Sequence, residues 1–339
     1  MKDCLNVCLI GTGRAGMIHA RSYMGNVVGA RLLAICDPCE ENLKKAQEEL
    51  HVAYTYADYQ VALQNKEIDA VIVVTPTGTH KEIVLAAASA GKHVFCEKPM
   101  AISAEECDEM IAACKQHHVK LQVGFMRRYD PSYAYAKEKI KEGAIGTPYM
   151  VKAAGIDPEA LAEGAIKFAA TSGGIFIDMA IHDIDLMRWF LESDPVEVYA
   201  AGATFKHPEF KEAGDDETGA AMYKCENGAL GFVHVGRTAA HGYHVETEIV
   251  GTEGSLRISP VPEKNLCMIY DKNGAVKECV SGFPERFAES YQLEMAEFIH
   301  CVQKGAKPDV TVYDGTKSTQ IGFATTKAWK KGGIVKIEY

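Results

Sequence analysis

The sequence predicts an α/β protein in which a doubly wound parallel sheet is followed by an antiparallel or mixed sheet. Within residues 1–125, short runs rich in Val, Ile and Leu alternate with amphipathic helical segments, which is typical of parallel strands joined by helices. After Phe125 the pattern changes to β-rich runs separated by turn signals. The chain has 339 residues, enough for two domains, and we expect them at 1–125 and 126–339.

The elements of the first domain follow from its apolar runs. Strand candidates are residues 5–10, 31–36, 70–75, 93–96 and 120–124. Amphipathic helical segments are expected at 40–50, 80–90 and 103–117.

The second domain is expected to mix helices and strands. Helices are predicted at 131–142, 288–304 and 314–330. β-rich runs occupy 195–204, 217–225, 229–237, 243–251, 254–259 and 266–271, with turn signals at Asn227-Gly228, Glu253-Gly254 and Asn273-Gly274.

Composition excludes several classes of partner. The formal net charge of −10 argues against nucleic acid and against an anionic membrane surface, because both attract basic proteins. No run reaches the roughly 18–20 apolar residues of a membrane span, and the first residues read as a strand rather than a secretion signal. Eleven cysteines without framework spacing indicate reduced thiols, so we expect a cytoplasmic protein.

A glycine-rich loop follows the first predicted strand and opens a helix. In this context the GxGxxG motif of 11–16 indicates a Rossmann dinucleotide site, with Asp37 at the end of the second strand placed for the adenosine ribose. A carboxylate there repels a 2′-phosphate, so NAD is expected rather than NADP. The expected cofactor contacts in this region are Gly11, Gly13, Arg14, Ala15, Gly16 and Asp37.

Two further loops lie at expected carboxyl ends of strands, where ligands of doubly wound sheets bind. Thr75, Pro76 and His80 follow one strand and are candidate cofactor contacts, although helix capping or a plain structural role fits His80 better. Glu97 and Lys98 end the next strand and are also candidate cofactor contacts. The Lys98 ammonium is suited to stabilise a developing alkoxide.

The segment SGGIFIDMAIHDIDLMRW at 172–189 carries the candidate acid–base pair. Asp178 and His182 are four residues apart, which places them on one face of a predicted helix. An imidazole accepts a proton near neutral pH, and a neighbouring carboxylate stabilises the resulting cation. Asp183 and Asp185 lie nearby, but we expect no metal site.

Together these segments resemble the Gfo/Idh/MocA oxidoreductase family. The resemblance rests on GTGRAG, Asp37, the E-K-P of 97–99 and the GG(x)3D(x)3HD(x)D pattern of 173–185, and it spans nearly the whole chain. The segments 124–133 and 285–298 resemble the inositol dehydrogenase branch. The resemblance implies a Rossmann domain, a second α/β domain with a large open sheet, and a homotetramer.

The resemblance also implies roles for individual residues. Lys98, Asp178 and His182 match the catalytic lysine, aspartate and histidine of the family. Asp157 lies near the position of a substrate-contacting aspartate, although the flanking residues 153–171 depart from the usual inositol pattern. Arg127 and Tyr243 are further candidates for contact with a polyol or sugar, and simple surface pairing fits Arg127 equally well.

The expected function is NAD-dependent oxidation of a ring secondary hydroxyl of a cyclic polyol, myo- or scyllo-inositol, to a ketone. Oxidation of glucosides at the 3-hydroxyl is an alternative that uses the same catalytic residues. Two other classes stay open: a glycoside hydrolase that recycles bound NAD, and a non-enzymatic NAD-binding regulator. The presence of Lys98, Asp178 and His182 argues against the regulator.

Overall fold

The computed structural model describes residues 2–24, 27–258, 262–272 and 274–339. These residues form two compact units. The first comprises Met1–Asp130 and Glu289–Thr319, and the second comprises Pro131–Ala288 and Gln320–Tyr339. Among the described residues, no helix has both the length and the apolar character that crossing a bilayer requires.

A parallel six-stranded sheet forms the centre of the first unit, as the sequence predicts. In chain order its strands are β1 (Leu5–Ile10), β2 (Ala30–Cys36), β3 (Tyr54–Tyr56), β4 (Ala70–Val73), β5 (His93–Glu97) and β6 (Leu121–Gly124). Their spatial order is β3-β2-β1-β4-β5-β6, so the strand order reverses between β1 and β4. Every residue of β1 is buried, which is expected of a parallel strand covered on both faces.

Five helices connect these strands. They are α1 (Arg14–Ser22), α2 (Glu40–Leu50), α3 (Tyr59–Gln64), α4 (His80–Ser89) and α5 (Ala104–Gln116). The Ser103 hydroxyl accepts a hydrogen bond from the Glu106 amide and begins α5, because a side-chain oxygen there satisfies an amide that has no partner within the helix. A short 3-10 turn at Met126–Tyr129 follows β6.

The second unit contains a seven-stranded sheet that is antiparallel except for one pair. Its spatial order is β12-β11-β7-β10-β9-β8-β15, and only β7 and β10 run parallel. The strands are β7 (Pro148–Pro158), β8 (Pro195–Ala203), β9 (Thr218–Cys225), β10 (Leu230–Ala239), β11 (His244–Gly251), β12 (Ser255–Ile258) and β15 (Ile334–Lys336). A separate hairpin consists of β13 (Ile269–Asp271) and β14 (Gly274–Val276).

The remaining helices follow β6 along the chain. They are α6 (Pro131–Lys141), α7 (Ala162–Ala169), α8 (Ile175–Asp178), α9 (Ile181–Leu191), α10 (Glu209–Glu212), α11 (Phe283–Arg286), α12 (Ala288–Lys304) and α13 (Val312–Lys331). Residue 259 of the predicted run 254–259 and Asn273 of the predicted turn lie outside the described residues.

The helix α12 packs into the first unit although it lies far along the chain. Met295, Phe298 and Ile299 belong to the same buried cluster as Leu9 and Phe95, and the rings of Phe95 and Phe298 meet edge to face at 5.9 Å. The sequence-based division at residue 125 does not include this returning segment. Its apolar face is buried by contacts with β1 and β5, which are remote in sequence.

Candidate active site

The glycines of the loop after β1 are required for three different reasons. Gly11 has φ +99°, and a Cβ there would lie 2.4 Å from the Val74 carbonyl oxygen. A Cβ on Gly16 would lie 1.9 Å from the Gly11 carbonyl oxygen. At Gly13 a Cβ would meet no protein atom within 4 Å. Gly11 therefore lets the loop turn closely past Val74, Gly16 lets α1 approach the turn after β1, and Gly13 leaves room for a ligand at the helix N-terminus.

Asp37 directly follows β2, at the carboxyl end of that strand. Its Oδ2 accepts hydrogen bonds from the Thr12 amide at 2.7 Å and the Thr12 hydroxyl at 2.9 Å. Its Oδ1 accepts one from the Cys39 amide at 2.9 Å. The buried carboxylate is therefore held in one orientation beside the glycine loop, where a ribose hydroxyl can donate to it. The sequence did not single out Thr12.

His80 braces two loops rather than facing solvent. Its Nε2 lies 2.9 Å from the Thr75 carbonyl oxygen, and its Nδ1 lies 3.1 Å from the Pro99 carbonyl oxygen. Burial lowers the pKa of the imidazole. This placement favours the structural role for His80 and joins the loop of Thr75 and Pro76 to the segment that carries Lys98.

Glu97 and Lys98 mark the end of β5. The Glu97 carboxylate lies 2.7 Å from the Nε2 of His19 and accepts the Lys98 amide at 2.8 Å. Burial alone would raise the pKa of the Glu97 carboxyl, but His19 and Lys98 outweigh it and lower that pKa. The Lys98-Pro99 peptide bond is cis.

Asp178 and His182 lie on two short helices, so the expectation of one continuous helix is wrong. Asp178 is the last residue of α8, and His182 lies in the first turn of α9. Met179 and Ala180 lie between the helices and keep right-handed helical backbone angles. His182 is buried, with 9% of the residue exposed.

Arg237 and Asp215 are buried and form a charge network with Asp178, whose side chain is 23% exposed. The Arg237 guanidinium donates to Asp178 Oδ2 at 3.1 Å and to Asp215 Oδ2 at 3.4 Å, and it stacks over the Phe210 ring. Asp215 also accepts the Ile175 amide of α8 at 2.8 Å. Burial raises the pKa of Asp215. Arg237 therefore holds one oxygen of the Asp178 carboxylate, although the sequence analysis did not single out this arginine.

The candidate substrate contacts have different environments. Asp157 is half-buried near the end of β7, close to the start of β11 in the sheet register. Tyr243 is buried and packs edge to face on Phe287, which is more typical of a core residue. Arg127 is buried.

The neighbouring arginine, Arg128, forms an ion pair within the first unit. The Arg128 guanidinium donates to Asp314 at 2.9 Å, and both side chains are largely buried. The pair therefore lies inside the first unit rather than on its surface.

Comparisons with known proteins agree with this fold. Residues 5–125 match a family described as oxidoreductases with an NAD-binding Rossmann fold, and residues 133–257 match the C-terminal domain of the same family. A scyllo-inositol 2-dehydrogenase (NAD(+)) of Bacillus subtilis is 35% identical over 100% of this chain and 98% of its own. A myo-inositol 2-dehydrogenase of Thermotoga maritima is 34% identical over 98% of this chain and 99% of its own.

Solved structures extend this similarity to three dimensions. The scyllo-inositol dehydrogenase of Lactobacillus casei, solved with NAD(H) and scyllo-inositol, superposes with a TM-score of 0.94 at 39% identity over 98% of this chain and 99% of that chain. The fold and the site thus define an oxidoreductase with an NAD-binding Rossmann domain. The chain belongs to the Gfo/Idh/MocA family.

The open space at Gly13 gives a prediction about cofactor binding. We expect Gly13→Ala to fold normally, because its Cβ meets no protein atom, but to weaken NAD+ binding at least about tenfold by occupying the space beside the helix N-terminus. Cofactor titration by fluorescence and thermal unfolding measure the two effects. Gly164→Ala, whose Cβ also meets no protein atom, is the matched control. Unchanged NAD+ affinity in Gly13→Ala would place the pyrophosphate elsewhere.

The charge network gives a prediction about turnover. Lysine at position 237 keeps the charge but not the forked geometry, so Arg237→Lys should lower kcat for NAD+ reduction about tenfold and change NAD+ affinity little. Steady-state kinetics and cofactor titration separate the two. Arg257→Lys, at an exposed arginine of β12, is the control. Equal kcat values for Arg237→Lys and wild type would show that Asp178 does not depend on Arg237.

Proposed function

We propose that this chain is an NAD-dependent dehydrogenase that oxidises a ring secondary hydroxyl of myo- or scyllo-inositol to a ketone. The observation that carries the proposal is full-length similarity to inositol dehydrogenases in a chain that retains Lys98, Asp178 and His182. Oxidation of a glucoside at its 3-hydroxyl remains the alternative, because the same side chains suit that chemistry.

The residues of the first unit fit NAD. The N-terminus of α1 and the open space at Gly13 suit a pyrophosphate. The buried Asp37 carboxylate suits the two hydroxyls of the adenosine ribose and disfavours a 2′-phosphate. When bound, NAD+ supplies the hydride acceptor of the reaction.

The protein residues carry the proton chemistry. His182 accepts the proton of the substrate hydroxyl as the carbon that bears this hydroxyl loses its hydride. Asp178, oriented by Arg237 at 3.1 Å, stabilises the imidazolium that forms. The Lys98 ammonium stabilises the negative charge that develops on the substrate oxygen. Asp157, Arg127 and Tyr243 remain proposed contacts of the polyol, and the burial of Tyr243 makes it the weakest of the three.

A substrate screen tests this function. We expect NADH to form with myo-inositol or scyllo-inositol and not with glucose or an aryl glucoside. His182→Ala should keep NAD+ affinity and lower kcat about 10²- to 10⁴-fold, the usual contribution of a general base. The absorbance of NADH measures product formation and kcat, and cofactor titration measures NAD+ affinity. Activity on the glucoside alone would favour glucoside oxidation, and released sugar without net NADH would indicate a glycosidase. A near-wild-type kcat in His182→Ala would reject His182 as the base.

We also propose that the chain forms a homotetramer in the cytoplasm. The support for assembly is an exposed apolar row across the large sheet, formed by Ile334, Tyr199, Met222 and Phe232, which are paired in register on neighbouring strands. Such a row favours burial against a second copy of the same face. The eleven free cysteines suit a reducing compartment.

The exposed row gives a prediction about oligomeric state. The double variant Met222→Asp/Phe232→Asp should form smaller particles than the wild type, because burial of two carboxylates without partners opposes association. Light scattering after size-exclusion chromatography measures the mass. Val61→Asp, at an exposed position of α3 in the first unit, is the control. A double variant with wild-type mass would exclude this face from the assembly.

A further inference from the structure

His19 is a buried histidine that the proposed reaction does not use. It lies in α1, whose first residues form the proposed pyrophosphate site, and its side chain is 0% exposed. Its ring packs on Phe95 at 5.3 Å and edge to face on Tyr291 at 5.1 Å. These contacts hold the ring in place, so its polar nitrogen is aimed in a defined direction.

That direction is toward Glu97. The His19 Nε2 and the Glu97 Oε1 are 2.7 Å apart, which is the length of a charge-assisted hydrogen bond. Within the described residues, the buried Nδ1 of His19 has no hydrogen-bond partner. A proton on Nδ1 would therefore be unsatisfied, which places the proton on Nε2, where it is donated to the carboxylate.

The other oxygen of the same carboxylate holds the backbone of Lys98. Glu97 Oε2 accepts the Lys98 amide at 2.8 Å. The opposing strand leaves space for this arrangement, because a Cβ on Gly124 would lie 3.1 Å from the carboxylate carbon. A continuous chain of two hydrogen bonds therefore runs from α1 through Glu97 to the backbone of Lys98.

We propose that His19 and Glu97 are positioning residues for Lys98, a role that rests on the proposed dehydrogenase function. They join the helix of the cofactor site to the residue proposed to stabilise the alkoxide. The hydrogen bond from His19 keeps the Glu97 carboxylate in the one orientation that binds the Lys98 amide. Without His19, the carboxylate loses its partner and the Lys98 backbone loses its fixed acceptor.

A double-mutant cycle separates positioning from general stabilisation. His19→Phe keeps an aromatic ring and removes the donor, and we expect kcat to fall about 10- to 100-fold, as for a small displacement of a catalytic group. In a Lys98→Ala background, His19→Phe should lower kcat less than about twofold, because both substitutions act through the Lys98 side chain. Equal losses in both backgrounds, or wild-type kcat in His19→Phe, would overturn the proposal.

Conservative and control variants sharpen this test. The amide of Gln reaches about as far as Nε2, so His19→Gln should keep kcat within about threefold of wild type. His93→Asn changes a histidine at the opposite end of β5 that accepts the Lys120 amide, and it should leave kcat unchanged. If His19→Phe does not fold, the double variant His19→Phe/Glu97→Gln takes its place, because it leaves no unpaired buried charge.

Hydrogen exchange decides the proposal without any activity measurement. The Lys98 amide should exchange at least about tenfold faster in His19→Phe than in wild type, and at the wild-type rate in His93→Asn. An unchanged rate in His19→Phe would overturn the positioning role. A wild-type protein that does not oxidise any inositol would instead refute the proposed function, and the exchange rates would still decide how Lys98 is held.

Discussion

The close approach of α1 to the turn after β1 is the constraint on which the cofactor site depends. A side chain at Gly16 would overlap the Gly11 carbonyl oxygen, at 1.9 Å, so the helix can start at this position only with glycine. The approach brings the N-terminus of α1 to the carboxyl end of β1, where the strand order reverses between β1 and β4. It also places Thr12 against Asp37, so the proposed pyrophosphate and ribose sites both depend on this close approach.

In each unit, a buried side chain holds a carboxylate that belongs to, or lies next to, a residue of the proposed reaction. In the first unit, His19 holds one oxygen of Glu97 while the other accepts the Lys98 amide, and in the second, Arg237 donates to Asp178. Desolvation offsets much of the attraction in such pairs, so their net contribution to folding stability is small. Their effect is geometric, because a displaced buried charge would lose its partner. This cost favours one orientation of each group.

The sequence predicted most elements whose signal is local. All five predicted strands of the first sheet are present, and α12 begins and ends as expected. The long strand β7 was missed, because PYMVKAAGIDP combines Ala and Gly with little alternation. It is a strand because β10 and β11 pair with it on both sides. The helix through Asp178 and His182 is two helices in the structure.

The sequence alone determined the glycine loop, Asp37, Lys98 and the spacing of Asp178 and His182. Each of these belongs to a short motif or directly follows a predicted strand, so neighbours along the chain were enough to find it. Only tertiary structure decided which residues support them. Arg237 is 59 residues from Asp178 and His19 is 78 from Glu97, so no periodicity connects the members of either pair. Sheet register and helix packing bring them together, since a buried charge requires a partner wherever the fold places one.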